Sequence, residues 1–475
     1  MTATGEARPD DGLTAAELIA ISGGSAQVRS ARPILGGAVD SRLVEPGNLF
    51  VALPGEHADG HEFVGAALAA GAAAILVARP VAAADLERGD ATVVVVDDPL
   101  RALQAVAAAW RTRFDPLVVG ITGSIAKTSS KEAIASVLGA ALPTLKNEGN
   151  LNNEIGLPLT VLRLRPEHRA AVLEMGMYVG GEIRDLAAIG RPEIGVVTAV
   201  QAVHLSRIGT IEAIERAKGE LVEALPADGV AVLNADDERV RRMASRTQAR
   251  SLTYGFADDA DVRADGVSSR GVEGMTFDLA TPAGGRPVAI PTLGRLAVHN
   301  ALAAAAVGVC AGLPLDTIAA ALGAGWSAPH RAQLVAAGDV TIVDDSYNAS
   351  PGSVIAALEL LGGLPGRRIA VLGEMLELGD DHVDGHRRVG AAASDVVDRL
   401  VVVGAGAEEI AAGTAAPVDR VADRDAARER LLEILRPGDV VLVKASRGIG
   451  LEVLVDELVS ALGGPTSPGP GALRR

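Results

Sequence analysis

Short apolar runs alternate with amphipathic stretches along most of this chain, and polar or glycine-rich residues recur where the apolar runs end. The stretch "DGLTAAELIAISGG" (11–24) has an acidic lead, helical spacing and a glycine stop. "FVGAALAAGAAAILVARP" (63–80) predicts a helix, a glycine break and a buried strand closed by proline, and "ATVVVVDDPLRALQAVAAAW" (91–110) predicts strand then helix. These patterns form a first unit, 1–113. A second, 114–325, opens at "DPLVVGITGS" and carries the strands "RAAVLEM", "IGVVTAV" and "GVAVLNADD" between amphipathic helices. Apolar strand cores flanked by helices imply a mostly parallel sheet covered on both faces. The segment 253–290 breaks that rhythm with short alternating runs, which predict an antiparallel extension. In the third unit, 326–462, "DVTIVDDSYNASP", "RRIAVLGEM", "RLVVVGAG" and "DVVLVKASRG" each end a strand in polar or glycine-rich residues, the pattern of a doubly wound sheet with ligands beyond its carboxyl edge. Residues 463–475, "GGPTSPGPGALRR", predict a flexible tail with no core-forming pattern.

Composition narrows the function classes. The chain has 475 residues, a net charge of -16 and 2% aromatic residues, so Val, Ile, Leu and Ala must fill its cores. Such acidity argues against a general nucleic-acid face or an anionic membrane patch, while leaving room for a locally positive cleft. The single cysteine, Cys310, lies in an apolar run and provides no disulfide framework. The first residues lack the basic and apolar regions of a secretory signal, and no apolar run has bilayer-spanning length. A cytoplasmic protein without membrane insertion is expected.

"GITGSIAKTSSKE" (120–132) is the strongest local sign of chemistry. A full G-x-x-x-x-G-K-[ST] motif is absent, because Ile121 and Ala126 stand at its two glycine positions. Gly120, Gly123, Lys127 and Thr128 remain between a strand and a helix start. A lysine there balances phosphate charge, a threonine hydroxyl can ligate magnesium, and helix-opening amides face phosphate oxygens. If phosphate binding requires a left-handed residue at 126, alanine bears about 1–2 kcal/mol of strain. Alone, this stretch fits a nucleotide site and an ordinary turn equally well. Glu174 and His204 follow later strands and can complete a magnesium site, or serve as a helix cap or surface acid and as a loop histidine. By itself Lys218 reads as a solvated charge, and His299 and Asn300 read as caps of the helix that follows.

Taken together, "GITGSIAKTSSKE", "NEGNLNNEIGLPLT", "VLEMGM", "VHLSRIGTIEAIERAKGEL", "VHNALAAAA", "IVDDSYNASP", "VLGEMLELG" and "LVKASRG" resemble, in order and spacing, the ATP-dependent Mur ligases of peptidoglycan precursor synthesis. "VDSRLVEPGNLFVALPGEHADGHEFVGAAL" (39–68) resembles their UDP-substrate domain. The resemblance implies an α/β, three-domain architecture with a P-loop-like central domain and a doubly wound C-terminal domain. It implies ATP and Mg2+ as cofactors, and UDP-N-acetylmuramoyl-tripeptide and D-alanyl-D-alanine as partners. The expected activity is ADP-forming amide ligation through an acyl phosphate, by a monomer.

The same resemblance assigns Gly123, Ser124, Ala126, Lys127, Thr128 and Ser129 to the nucleotide, with Asn300 and Arg331. Thr128, Glu174, His204 and Lys218 match metal-side residues, Lys218 as a carbamate, and Lys127, Lys218 and His204 are the candidate catalytic residues. Asn150, Asn152 and Asn153, then Asp345, Tyr347 and Asn348, match substrate-side loops. Ser41 and Arg42 match the uridine-diphosphate site, joined by His61 and Phe63. Ala126, Ala199 and Ala445 depart from the family pattern. Another Mur-family amino-acid ligase and a catalytically silent nucleotide-binding paralogue remain as alternatives.

Overall fold

The computed structural model describes residues 12–55, 58–201 and 209–463. Three sheets follow one another along the chain. The first runs Ser25–Val28, Thr92–Val95, Ala74–Val77, Leu49–Val51, Gly37–Ala38, parallel except for its first pair. Its opening helix, Ala15–Ser22, forms where the spacing predicts: Thr14 and Glu17 make a reciprocal capping box, and Gly23 ends the helix in a left-handed conformation.

The central sheet has nine strands. Six are parallel, from Thr144–Lys146 at one edge through Ala170–Glu174, Leu117–Thr122, Ile194–Val197 and Val230–Asn234 to Arg250–Gly255. Val262–Ser269 joins them as a seventh, and the two pairs that Met275–Thr281 makes, with Val262–Ser269 and with Gly284–Ile290, are antiparallel. The antiparallel extension expected over 253–290 therefore starts later, because the strand at 250–255 pairs in parallel on both sides. Its buried Leu252 and Tyr254 place it in the core with the helix Gly294–Cys310.

The third sheet runs Gln333–Ala337, Val340–Asp344, Val440–Lys444, Arg368–Gly373, Arg399–Val403, Val418–Val421, parallel except for its first pair. Helices cover both faces, each over its own apolar cluster. The near-continuous apolar strands, such as "VVLVK" with all five residues buried, follow from that double cover.

The first two units share a core. The helix Pro99–Arg111 presents Leu103, Val106 and Trp110 to a cluster that includes Leu157, Leu173 and Ile183 of the central unit. Arg111 reinforces the junction by donating from Nε to the Gly190 carbonyl at 3.0 Å. Apolar burial on this scale fixes the two units against each other.

Candidate active site

Strand order determines which residues meet. Leu117–Thr122 lies between Ala170–Glu174 and Ile194–Val197, so the loop after it faces the ends of both neighbours. Gly123 turns the chain there with φ 155, and a Cβ on it would fall 1.8 Å from the Thr198 hydroxyl. That hydroxyl donates to the Ile125 carbonyl at 2.6 Å, while Ser124 Oγ donates to the Gln201 carbonyl at 3.0 Å. The loop is thus held from the neighbouring strand end.

Ala126 adopts φ 64, ψ 2, a left-handed conformation, directly before the helix Lys127–Gly139. The left-handed condition is met, and alanine bears its cost. Lys127 Nζ donates to the Gly123 carbonyl at 2.7 Å. Burial pushes this ammonium below the ordinary lysine value, Glu174 opposes that shift, and Arg331 adds to it. The carboxylate, the lysine and an arginine from the third unit therefore share one field.

Glu174 is buried and is neither a surface acid nor a cap. Asn152 Nδ2 donates to its Oε1 at 2.7 Å, and the Glu174 amide donates to Asn147 Oδ1 at 2.6 Å. Its Oε2 has no hydrogen-bond partner among the described residues. Lys218, on the helix Ile211–Glu223, is 3% exposed, which corrects the solvated reading. Burial pushes its amine well below the ordinary lysine value, and nearby Lys127 adds to the effect. His204 lies outside the described residues.

Asn300 is also misread by local pattern. The helix begins at Gly294, so His299 and Asn300 are interior residues, not caps. Asn300 is 4% exposed and accepts a hydrogen bond from Ser130 Oγ. His299 Nε2 lies 3.0 Å from Asn234 Oδ1.

A cavity of about 1680 Å3 joins these features at the meeting of the three units. Ser124, Ala126, Lys127, Thr128 and Ser129 line it from the loop and helix start that follow Leu117–Thr122. Glu174, Asn150, Asn152 and Asn153 line another side, and Asn300 a third. Asn153 also uses Oδ1 to accept from the Gly156 amide at 2.9 Å, fixing the start of the next helix.

Arg331, Asp345, Tyr347 and Asn348 close the cavity from the third unit. Arg331 stacks 4.3 Å from the Tyr347 ring centroid and is flanked by left-handed His330 and Ala332. Two strained non-glycine residues around one cation are maintained only where the surroundings over-determine them. Lys444 Nζ sits 2.7 Å from Asp345 Oδ2 and donates to the Asn348 carbonyl at 2.7 Å.

The four expected uridine-side residues do not line this cavity. The turn Ser41–Leu43 packs against the helix Val64–Ala69, which Phe63 opens. Arg42 is exposed and pairs with Asp40 at 2.6 Å. Both nitrogens of His61 are engaged: Nδ1 with Asp59 at 2.6 Å and Nε2 as acceptor from the Ala78 amide at 2.9 Å. A neutral imidazole filling those roles has no free ring nitrogen for a ligand.

Sequence reading missed Lys131, Asn147, Thr198 and Lys444. Lys131 had a legible signal, since it lies one helical turn beyond Lys127 and so on the same face. Thr198 and Lys444 gave none, because their roles depend on strand neighbours distant in the chain.

Comparison with known proteins matches this arrangement along the chain. The Mur ligase family's catalytic domain matches residues 35–111, its middle domain 121–308, and its glutamate ligase domain 330–447. A UDP-N-acetylmuramoyl-tripeptide–D-alanyl-D-alanine ligase of Mycobacterium tuberculosis is 39% identical, covering 94% of this chain and 98% of its own. The enzyme of that name from Escherichia coli K12 is 39% identical over 88% and 92%. Among solved structures, MurF from Acinetobacter baumannii superposes with a TM-score of 0.85 at 30% identity, covering 95% of this chain and all of that one. MurF from Thermotoga maritima in complex with ADP gives 0.81 at 28%, covering 90% and 98%. With near full-length identity and three matching domains in order, the chain belongs to the Mur ligase family and is closely related to its D-alanyl-D-alanine-adding ligases.

Proposed function

We propose that this protein joins D-alanyl-D-alanine to UDP-N-acetylmuramoyl-tripeptide at the expense of ATP. The observation that carries the reading is the single cavity onto which the phosphate loop, the asparagine loop and the Asp345–Asn348 turn all open. A carboxylate does not acylate an amine directly, since its oxygen is a poor leaving group. In the proposed reaction a tripeptide carboxylate oxygen attacks the γ-phosphorus, the bond to the β,γ-bridging oxygen breaks, and ADP leaves. The neutral amine of the dipeptide then attacks the acyl carbon. Its C–O bond to phosphate breaks, inorganic phosphate leaves, and the amine proton passes to solvent or to the phosphate.

The units divide this work as 1–113 for the UDP end, 114–325 for ATP, and 326–462 for the amine substrate and closure. Lys127, the loop amides from Gly123 to Ser129 and Arg331 balance the phosphate charge. Asn300 orients the nucleotide, and Asn150, Asn152 and Asn153 border the incoming carboxylate. Asp345, Tyr347 and Asn348 face the dipeptide, while Ser41, Arg42 and Phe63 serve the uridine end and His61 shapes that turn. Closing the cavity keeps water from the acyl phosphate.

The donor set fits magnesium: Glu174 keeps one buried oxygen without a hydrogen-bond partner, and Thr128, with its hydroxyl, lines the same cavity. Glu174 and Thr128 would hold magnesium there, with His204 and Lys218 as the further ligands the family resemblance implies, and the ion would supply charge neutralisation during phosphoryl transfer. Lys218 is suited to carry a carbamate, because its burial favours the neutral amine that reacts with CO2. The neutral amine nitrogen bonds to the carbon of CO2 as one carbon–oxygen π bond opens onto oxygen, one proton is released from nitrogen, and a neutral side chain becomes an anion.

A matrix of UDP-muramoyl peptides and amine acceptors, read by mass spectrometry, tests the proposal. It predicts one ligated product with the tripeptide and D-alanyl-D-alanine, with ADP formation dependent on the tripeptide. Equal ATP turnover without tripeptide, or product from a single amino acid instead, overturns it.

A further inference from the structure

Lys131 has 0% side-chain exposure, and the proposed chemistry does not use it. Its Nζ donates to the Asn147 carbonyl at 2.8 Å and the Gly149 carbonyl at 3.4 Å. It also lies 3.1 Å from Glu132 Oε1 and 3.9 Å from Glu174 Oε2. Asn147 is a second node: its Oδ1 accepts from the Glu174 amide, and its Nδ2 donates to the Leu151 carbonyl. The loop from Asn147 to Asn153, the phosphate-loop helix and Glu174 thus meet on one buried ammonium.

We propose that Lys131 is a positioning residue that couples divalent-cation binding at Glu174 to ordering of the 147–153 loop, and so to tripeptide binding. The inference rests on the ligase reading above. Its physical basis is competition for one cation. Lys131 is shared among two carboxylates and two loop carbonyls, and the carboxylate at 3.9 Å is the weakest partner by distance. A divalent cation on Glu174 Oε2 repels the ammonium and leaves it to Glu132 and the loop carbonyls. Those contacts then shorten and fix the loop. Coupling is reciprocal, so an ordered loop favours the metal to the same degree.

The experiment measures UDP-N-acetylmuramoyl-tripeptide binding by calorimetry, with and without magnesium and a β,γ-methylene ATP analogue. Magnesium with the analogue is expected to tighten tripeptide binding about fivefold or more. Lys131→Met leaves Glu132 to its other partner, Lys146, but takes the ammonium away from the buried Glu174, a costly change in a buried site. The charge-compensated Lys131→Met/Glu132→Gln variant removes one charge of each sign. It is expected to bind magnesium and the analogue at least as tightly as the parent protein, while the coupling factor falls to near one. A role in stability alone would weaken both ligands together or neither, and either result in the folded variant overturns the proposal.

Hydrogen exchange on the unaltered protein makes the test independent of the variants. Magnesium with the analogue, without tripeptide, is expected to slow exchange at residues 149–153, and unchanged exchange there overturns the coupling. Product formation in the substrate matrix is read separately. Absence of product defeats the ligase reading, whereas product without coupling defeats only the role of Lys131.

Discussion

Ser130 Oγ donates to Asn300 Oδ1 at 2.9 Å, tying the second turn of the phosphate-loop helix to the interior of the helix Gly294–Cys310. Both residues are buried, and 170 positions separate them in the chain. The bond sets which way the Asn300 amide group points, since its oxygen is already committed to the serine.

Ser130→Ala removes that constraint. A hydrogen bond of this kind contributes about 1 kcal/mol, so KM for ATP should rise about fivefold with kcat little changed. Asn300→Ala should raise it further, and the double variant should add little beyond it. Additive losses in a double-mutant cycle would show that the two side chains act separately.

Ala126→Gly should stabilise the protein. Left-handed alanine costs about 1–2 kcal/mol, while glycine adds about 0.5–1 kcal/mol of unfolded-chain entropy, leaving a net gain of roughly 0.5–1 kcal/mol. Calorimetry should therefore show a higher melting temperature, with no loss of ATP binding. A lower melting temperature would mean that the loop holds alanine without strain.

Lys218 provides a chemical test. Its depressed amine basicity keeps the neutral form available at lower pH than for an ordinary lysine. A sample equilibrated with 13C-bicarbonate near neutral pH should show one carbamate carbon resonance, absent in Lys218→Ala, which should lose ligase activity. Full activity after exhaustive CO2 removal would argue against the modification.

The loop "GEMLELG" should loosen in acid. His386 is buried, its Nδ1–H donates to the His382 carbonyl, and its Nε2 accepts from the Met375 amide at 3.0 Å. Burial pushes its pKa below the usual 6.5, helped by His382 and opposed by the His382 carbonyl and by Glu374 and Glu409. Between that depressed value and 6.5 the unfolded chain binds more protons, so stability rises with pH there. The contribution is complete above about 6.5 and is lost as pH falls through the folded-state value. Exchange protection at Met375, corrected for intrinsic rates, should drop across that window and lose its pH dependence in His386→Leu.

Local pattern was enough for the strand-and-helix alternation and for the strand-to-helix turn that follows Leu117–Thr122. Apolar periodicity, caps such as Thr14 and breaks such as Gly23 act within a few residues, so they can be read without knowing the neighbours. The same locality limited the site. Asn300 resembled a cap because "VHN" looks like a boundary, yet the helix had already begun at Gly294. Lys218 looked solvated because nothing along its own helix reveals what lies over it.

The sequence by itself determined which segments become strands and helices and marked one strand-to-helix turn as the candidate for phosphate-type chemistry. Only the tertiary structure decided that Ala126 is left-handed, that Glu174 keeps an oxygen without a hydrogen bond, and that Lys131 is shared between two carbonyls of one loop and two acids. The reason is the order of the central sheet, which sets Leu117–Thr122 between Ala170–Glu174 and Ile194–Val197. Burial, charge and hydrogen-bond choice at a strand end depend on those lateral neighbours, and their distance along the chain is unrelated to their distance in space.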